Sequence, residues 1–484
     1  MRPVIQQLLT TATPEALVES LSQSGHTVLL RSSMFDTPEG RYSFVATEPF
    51  LTLTASGSRC ELNSSDGHRT LFGNPWHILD NLMSRYELLD EVDLPFPLGG
   101  CVGYWGYDLK NFVEPRLPHR APNDLDWPDC HVGFYDSLVA FDHRIGAVWI
   151  ISTGLGVDGS RTESQLRQKV EFWEHHLRSC EEAAGRFLQQ DPDATRRAPS
   201  VSSSMSRGNF LAAVERARRY IQAGDIYQVN LSHRLTADWP KTGWEFYKEL
   251  AGLSPARFGA FLDCGGFQIA SSSPELFLRL SGSHIVTRPI KGTRPRSADA
   301  DKDAQLTYEL QTSPKELSEL VMITDLLRND LGRVCEYGSV QVPELIRLER
   351  YAQVQHLVST VEGRLRPDVT HFNAFAKCFP GGSISGAPKI RAMEIIDELE
   401  PVSRGPYTGA LGYLGFNRES QLSILIRAGV IRDGQVYFPV GAGIVADSNP
   451  EAEYEETLTK ARGFFRTLGC EATLASPALE KMLT

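Results

Sequence analysis

The stretch GALGYLGFNRESQLSILIRAGVIRDGQVYFPVGAGIV, residues 409–445, reads as three strands in close succession: Gly409 to Phe416, Gln421 to Ile431 and Val436 to Val445. Strands joined this tightly pair as hairpins, which predicts an antiparallel α+β architecture rather than βαβ winding. The same signature recurs upstream at Phe267 to Ser273, Leu276 to Leu280 and Tyr351 to Val361. In Ile226 to Leu235, Tyr227, Val229 and Leu231 alternate with Gln228, Asn230 and Ser232, so one face is expected to be apolar and the other to offer three hydrogen-bonding groups. A helix through Phe210, Val214, Ala217 and Ile221 precedes it and ends at Gly224, a residue suited to the left-handed cap.

Nearer the N-terminus, Thr27 to Ser33, Tyr42 to Thr47 and Leu51 to Ala55 read as short strands, and Leu166, Val170, Trp173 and Leu177 fall at helical spacing. The one compositional break, Gln189 to Gly208 (QQDPDATRRAPSVSSSMSRG), is rich in Ser, Pro and charge and reads as a linker. It divides an N-terminal region, residues 1–188, from a region expected to carry the chemistry, residues 209–475. There is no internal repeat.

With 484 residues, 41% hydrophobic and 23% charged, the chain can bury a large core without staples. A net charge of −11 argues against non-specific binding to nucleic acid, which needs excess Lys and Arg. Eight scattered cysteines with no C-x-x-C pair fit reduced thiols. Met1 to Val18 lacks the continuous apolar core of a secretory signal, and no apolar run is long enough to span a bilayer. A cytoplasmic location with no membrane partner is the expectation.

Chemistry concentrates in the second region. Lys291 sits in Pro289-Ile290-Lys291-Gly292-Thr293, an amine held between a proline and a Gly-Thr turn. At an ordinary pKa of about 10.4 only roughly one lysine in 2,500 is neutral at pH 7, so a nucleophilic role requires nearby positive charge or desolvation. Ser313-Pro314-Lys315-Glu316 has the form of a capping box opening a helix to about Leu331, with Glu316 and Glu319 on one face. A second helix begins at Asn449 and Pro450 with the apolar stripe Tyr454, Leu458, Ala461, Phe465 and Leu468, beside which stand Glu453, Glu456 and Lys460. Each acidic row alone reads as a solvated face. If the two rows meet across a cleft, four acids converge and require a divalent cation, for which oxygen ligands suit Mg²⁺.

Phe379 to Lys389 is a Gly-rich loop entering a helix through Ile390, Met393, Ile396 and Leu399, whose free N–H groups can attract an anion; it is not a Walker sequence. Arg427 opposes Leu422, Ile424 and Ile426, as a carboxylate clamp or as an exposed arginine. His356, alternating with Val354 and Val358, reads first as a core histidine. Gly99-Gly100-Cys101-Val102-Gly103 resembles the glutaminase elbow G-x-C-x-G, but position 105 is Trp and no His-x-Glu follows, so catalysis by Cys101 is not expected.

Taken in order, the segments Leu29 to Ser32, Gly99 to Tyr104, Asp225 to Leu231, Ser272 to Glu275, Pro289 to Thr293, Asp325 to Arg333, the Gly381 loop and Gly441 to Val445 resemble the chorismate-utilising enzymes over nearly the whole chain. That family comprises the large subunits of anthranilate and aminodeoxychorismate synthases and the isochorismate and salicylate synthases. The resemblance implies a large α+β unit of antiparallel sheets packed together with helices outside. Isochorismate and salicylate formers have lysine where this chain has Gln228, and anthranilate synthases have alanine where it has Lys291. The Gln228 and Lys291 pair therefore resembles the aminodeoxychorismate synthases, whose large subunit (component I) makes 4-amino-4-deoxychorismate for p-aminobenzoate and folate.

The resemblance further implies that Lys291 is the nucleophile and Glu275 the general acid. Glu319 and Glu453 would hold Mg²⁺, with Glu316 and Glu456 supporting through water. Tyr407 and Arg427 would grip the enolpyruvyl carboxylate with backbone at Gly441 and Gly443, and Lys460, Gly292, Thr293, Ser383 and His356 would complete the pocket. Chorismate and ammonia are the implied substrates, with ammonia from a separate glutaminase subunit (component II). The alternatives are anthranilate synthase component I and a non-catalytic regulatory subunit of the same family. Two departures stand out. Ala428 replaces the family's threonine after Arg427, and Leu29 to Ser33 matches only part of the tryptophan feedback pocket of anthranilate synthases, leaving that regulation open.

Overall fold

The computed structural model describes residues 2–21, 24–33, 40–88, 94–183, 199–351 and 354–470. Parts of several sequence readings lie outside them: residues 189–198 of the expected linker, 471–475 of the expected C-terminal region, and 352–353 of the expected strand from Tyr351. Strand after strand with few intervening helices gives two twelve-stranded sheets, and every pairing within them is antiparallel.

Each sheet is built from both ends of the chain. In the first, Val28–Arg31 pairs with Phe258–Asp263, joining the N-terminal strands to a block that contains Gln268–Ser273, Ala428–Arg432, Gln435–Ile444 and Gln228–Asp238. In the second, Gly100–Trp105 pairs with Ala410–Gly415, which continues through Glu419–Ile424 and Leu276–Ser281 to Val354–Arg364 and Ile290–Pro295. Of the stretch read as a linker, Val201–Ser203 is an edge strand of the first sheet and a helix begins at Arg207.

Alternation assigns the core. Val28, Phe44, Ala260 and Leu262 of the first sheet meet Val102, Tyr104, Leu411 and Tyr413 of the second, and the Phe44 and Tyr413 rings stand edge to face at 5.3 Å. Their neighbours Leu29, Val45 and Phe261 point the other way, into a cluster shared with the helix residues Leu17, Val18 and Trp173. All eight cysteines are buried. Among the described residues no helix is long and apolar enough to cross a membrane.

Several expectations are corrected. The residues Gln421 to Ile431 do not form one strand: Glu419–Ile424 belongs to the second sheet and Ala428–Arg432 to the first, with Arg427 between them at φ +49. The strand Gln228–Asp238 sets Gln228, Asn230 and Ser232 opposite Val229 and Leu231 as expected, but Tyr227, read as part of the apolar face, precedes the strand and is exposed. Ile390 is half exposed rather than part of its helix's buried face. The C-terminal helix stops at Lys460 and a second begins at Arg462, although the stripe from Tyr454 to Leu468 is buried as expected.

Candidate functional site

At two places near the middle of the fold the chain leaves one sheet for the other. Gln268–Ser273 passes into Leu276–Ser281 through Pro274 and Glu275, and Glu419–Ile424 passes into Ala428–Arg432 through Leu425, Ile426 and Arg427. The crossings are tied together, since Ile424 N–H donates to the Glu275 carbonyl at 3.1 Å and Ser273 Oγ donates to the Ile424 carbonyl at 2.6 Å. A carboxyl and a guanidinium are thereby held between the sheets. Glu275 is 6% exposed, and burial pushes its carboxyl above the usual range against the opposing pull of Ser383 and Lys291. Burial likewise depresses Arg427, and the nearby Glu275 offsets part of that.

Beside the crossings lies a cavity of about 610 Å³, between Ile290–Pro295 of the second sheet and Gln435–Ile444 of the first. Of the residues singled out in the sequence, Glu275, Lys291, Gly292, Thr293, Glu316, Glu319, His356, Ser383, Tyr407, Arg427, Gly441, Gly443, Glu456 and Lys460 all line it. Gln228 and Glu453 stand just behind the wall. Cys101 is remote from this chemistry, a fully buried strand residue whose thiol burial pushes well up.

Lys291 owes its aim to a bulge. Its strand pairs Lys291 with Leu357 and Thr293 with His356, so Gly292 is the extra residue, with a φ of +68 that suits glycine. The ammonium reaches Glu319 Oε2 at 3.7 Å. Gly443 adjoins it: a methyl there would meet Lys291 Nζ at an ordinary 3.9 Å but Gln228 Nε2 at only 2.5 Å, so the missing side chain makes room for Gln228. His356 shares a hydrogen bond of 2.8 Å between Nδ1 and Thr293 Oγ1, and burial lowers its pKa to about 4, so the ring is neutral at pH 7.

The two acidic rows do meet. The helix Pro314–Gly332 is capped by Ser313 Oγ, which accepts from Glu316 N–H; the Glu316 carboxylate turns to Arg294 at 3.4 Å instead of closing the box. The helix Pro450–Lys460, capped by Asn449, brings Glu453, Glu456 and Lys460 to the same region. Lys460 Nζ donates to the Gly441 carbonyl at 2.9 Å and pairs with Glu456 at 2.8 Å. Burial pushes Glu319 up, with Lys291 opposing, and pushes Glu453 up, with Ser448 opposing. For Glu456 burial is outweighed by Lys460 and Lys315, which hold it below its ordinary value.

Among the described residues no three acid, His or Cys groups stand close enough together to grip a metal as they are. One oxygen nevertheless asks for a cation: Glu453 Oε1 takes the Ser448 hydroxyl at 2.6 Å, whereas Oε2 is buried with no hydrogen-bond partner. An all-oxygen set containing such an atom fits a hard divalent ion.

Some participants escaped the sequence reading. Asn230 lines the cavity with Oδ1 buried and unpartnered, and Lys315 stands among the acids. The buried pair of Arg404 and Glu400 braces three walls: Arg404 donates to the carbonyls of Asn230 at 2.8 Å and Ile384 at 3.1 Å and to Thr408 Oγ1 at 3.2 Å, and Glu400 accepts from Ser232 N–H at 2.8 Å. A Glu-x-x-x-Arg spacing just past a helix end carries no sequence signal for such a role. Elsewhere between the sheets, Leu30, Arg31 and Ser32 line a hollow of about 30 Å³ with Arg257 and Tyr413, room for about one water.

Comparison with known proteins agrees with this geometry. A family model described as chorismate binding enzyme matches residues 31–466. The anthranilate synthase component 1 of Acetivibrio thermocellus is 38% identical over 464 residues, covering 94% of this chain and 92% of that protein. The aminodeoxychorismate synthase component 1 of Escherichia coli (strain K12) is 38% identical over 450 residues, covering 93% and 94%. Among solved structures, anthranilate synthase component I from Streptococcus pneumoniae TIGR4 superposes with a TM-score of 0.73 at 31% identity, over 87% of this chain and 91% of that one. A menaquinone-specific isochorismate synthase from Escherichia coli shares the fold with a TM-score of 0.70 at 18% identity, over 96% and 95%.

Proposed function

The chain belongs to the chorismate binding enzyme family, and from that premise we propose that it is the large subunit that converts chorismate and ammonia to 4-amino-4-deoxychorismate, with ammonia supplied by a separate glutaminase subunit. The observation that carries this reading is a primary amine, Lys291, in the cavity wall between Gly443 and the acid set. Anthranilate formers in this family place alanine there, by the resemblance of the surrounding Pro-Ile-Lys-Gly-Thr segment. Identities of up to 40% to anthranilate synthases, against up to 38% to aminodeoxychorismate synthases, keep anthranilate synthase component 1 as the rival reading.

Replacing the ring C4 hydroxyl directly is difficult, and covalent catalysis divides the task. Lys291 Nζ, released from Glu319 and deprotonated, forms a bond to C2. The ring double bonds shift and the C4–O bond breaks, with the hydroxyl leaving as water on the proton of Glu275. Ammonia then bonds to C4, the double bonds shift back, and the C2–N bond to Lys291 breaks. A carboxyl whose hold on its proton is strengthened by burial suits the acid in the first half and, once ionised, can accept the surplus proton from the ammonium formed in the second.

Arg427 and Tyr407 face the cavity as anchors for the enolpyruvyl carboxylate. Glu319 and Glu453, with Glu316 and Glu456 beside them, would hold Mg²⁺, which when bound supplies positive charge to the ring carboxylate. Neutral His356, fixed by Thr293, offers a polar wall without competing as a cation.

One assay tests the assignment. The protein is incubated with chorismate, Mg²⁺ and ammonium, and aminodeoxychorismate lyase is then added. p-Aminobenzoate is expected; anthranilate without lyase would establish the rival, and unchanged chorismate would mean a non-catalytic subunit.

A further inference from the structure

Lys315 occupies a position that its own helix does not favour. It is the second residue after the Ser313 cap, where the positive end of the helix repels a cation, and it precedes Glu319 by four residues, the weaker order for a helical ion pair. What faces it explains the placement. Burial works against its charge, and the fields of Glu453, Glu319, Glu456 and Glu316, the four carboxylates assigned above to the divalent cation, outweigh that and hold its pKa above the ordinary value. The nearest oxygen is Glu453 Oε1 at 3.7 Å, on the carboxylate whose other oxygen has no partner.

The manner of holding also matters. Lys460, the neighbouring cation, is anchored at both the Gly441 carbonyl and Glu456, at 2.9 and 2.8 Å. Lys315 makes only the loose 3.7 Å approach, and its side chain is 48% exposed. A long side chain that is half in water can swing its charge outward at little cost. One lysine is fixed to the wall; the other is displaceable.

We propose that Lys315 is the resident counter-ion of Glu453, the member of the acid set that Lys291, Arg294 and Lys460 do not pair, and that it gives way when a divalent cation takes the set. The lysine thereby competes with the ion and lowers its affinity. This rests on the magnesium reading above, and the test separates the two. Calorimetric titration of the full chain with Mg²⁺ alone is compared for the parent, Lys315→Met, Lys315→Gln and Lys315→Arg, alongside thermal unfolding with and without Mg²⁺.

The two neutral variants are expected to bind Mg²⁺ about three- to tenfold more tightly, the scale of a half-exposed charge contact. They are also expected to melt below the parent without the ion and to recover with it, while Lys315→Arg follows the parent throughout. Unchanged or weaker affinity in folded Lys315→Met and Lys315→Gln overturns the competition and leaves the magnesium site standing. No Mg²⁺ uptake by parent or variants removes the site and the competition together.

Discussion

Two gaps open between the inner faces of the same pair of sheets, yet one measures about 610 Å³ and the other about 30 Å³. At the small one, Gly259 and Gly412 also lack side chains, but the Phe44 and Tyr413 rings close the space they leave. At the large one, Gly441 and Gly443 present no side chain where Asn230 and Gln228 already press within 2.7 and 2.5 Å of a would-be methyl. There the two crossings also replace regular strand with Glu275 and Arg427. The contrast teaches that the sheets themselves do not make the site: space comes from missing side chains left unfilled, and charge from the segments that change sheets.

The sharpest way to break the contrast is to remove the amine. Lys291→Ala should lower p-aminobenzoate output in the lyase-coupled assay by about 10³-fold or more, the scale seen when a nucleophile is lost, with anthranilate as the only product that could appear in its place. Undiminished output would falsify a covalent lysine.

Next in size, Glu275→Gln should cost about 10²- to 10³-fold, as loss of a general acid does. The sign of its pH dependence follows from burial. The folded carboxyl binds its proton more tightly than an unfolded one, so activity that needs the acid form is present at low pH and falls as pH rises through the raised value. That falling limb should vanish in the glutamine variant, and its persistence would assign the acid elsewhere.

Gly292→Ala probes the bulge. Its methyl would stand 2.7 Å from Leu310 Cδ1 at a φ of +68, so a loss of about 1–2 kcal/mol in chemical denaturation is expected, with a larger loss of activity than of stability because Lys291 is displaced. The smallest effect belongs to the other gap: Phe44→Leu should cost about 1 kcal/mol of stability and leave turnover unchanged. A matching fall in turnover would mean that the two gaps are coupled.

The same contrast explains what the sequence disclosed. The strand Gln435–Ile444 was legible because Val436, Phe438, Val440, Ala442 and Ile444 recur with period two. The break inside Gln421 to Ile431 was not, because apolar residues continue unbroken across the crossing and the left-handed turn falls on Arg427, with neither glycine nor proline to mark it. Gln228 was readable as a strand residue but not as a buried one, since its burial depends on helices far along the chain. Lys291 and Glu319 stood out from their local sequence and took their roles from the resemblance, Glu275 was found through the resemblance alone, and Lys315 looked like any lysine beside glutamates at a helix start. Its meaning depends on Glu453 and Glu456, more than a hundred residues away.

The seams between the halves bear on how the molecule is made. Val28–Arg31 and Gly100–Trp105 emerge early from the ribosome, but their partners Phe258–Asp263 and Ala410–Gly415 come much later. At roughly 5–20 residues per second the second edge waits for tens of seconds with open backbone groups, the state in which nascent strands stick to one another. Fragments truncated before residue 410, which leave the edge of Gly100–Trp105 without its later partner, are therefore expected to aggregate.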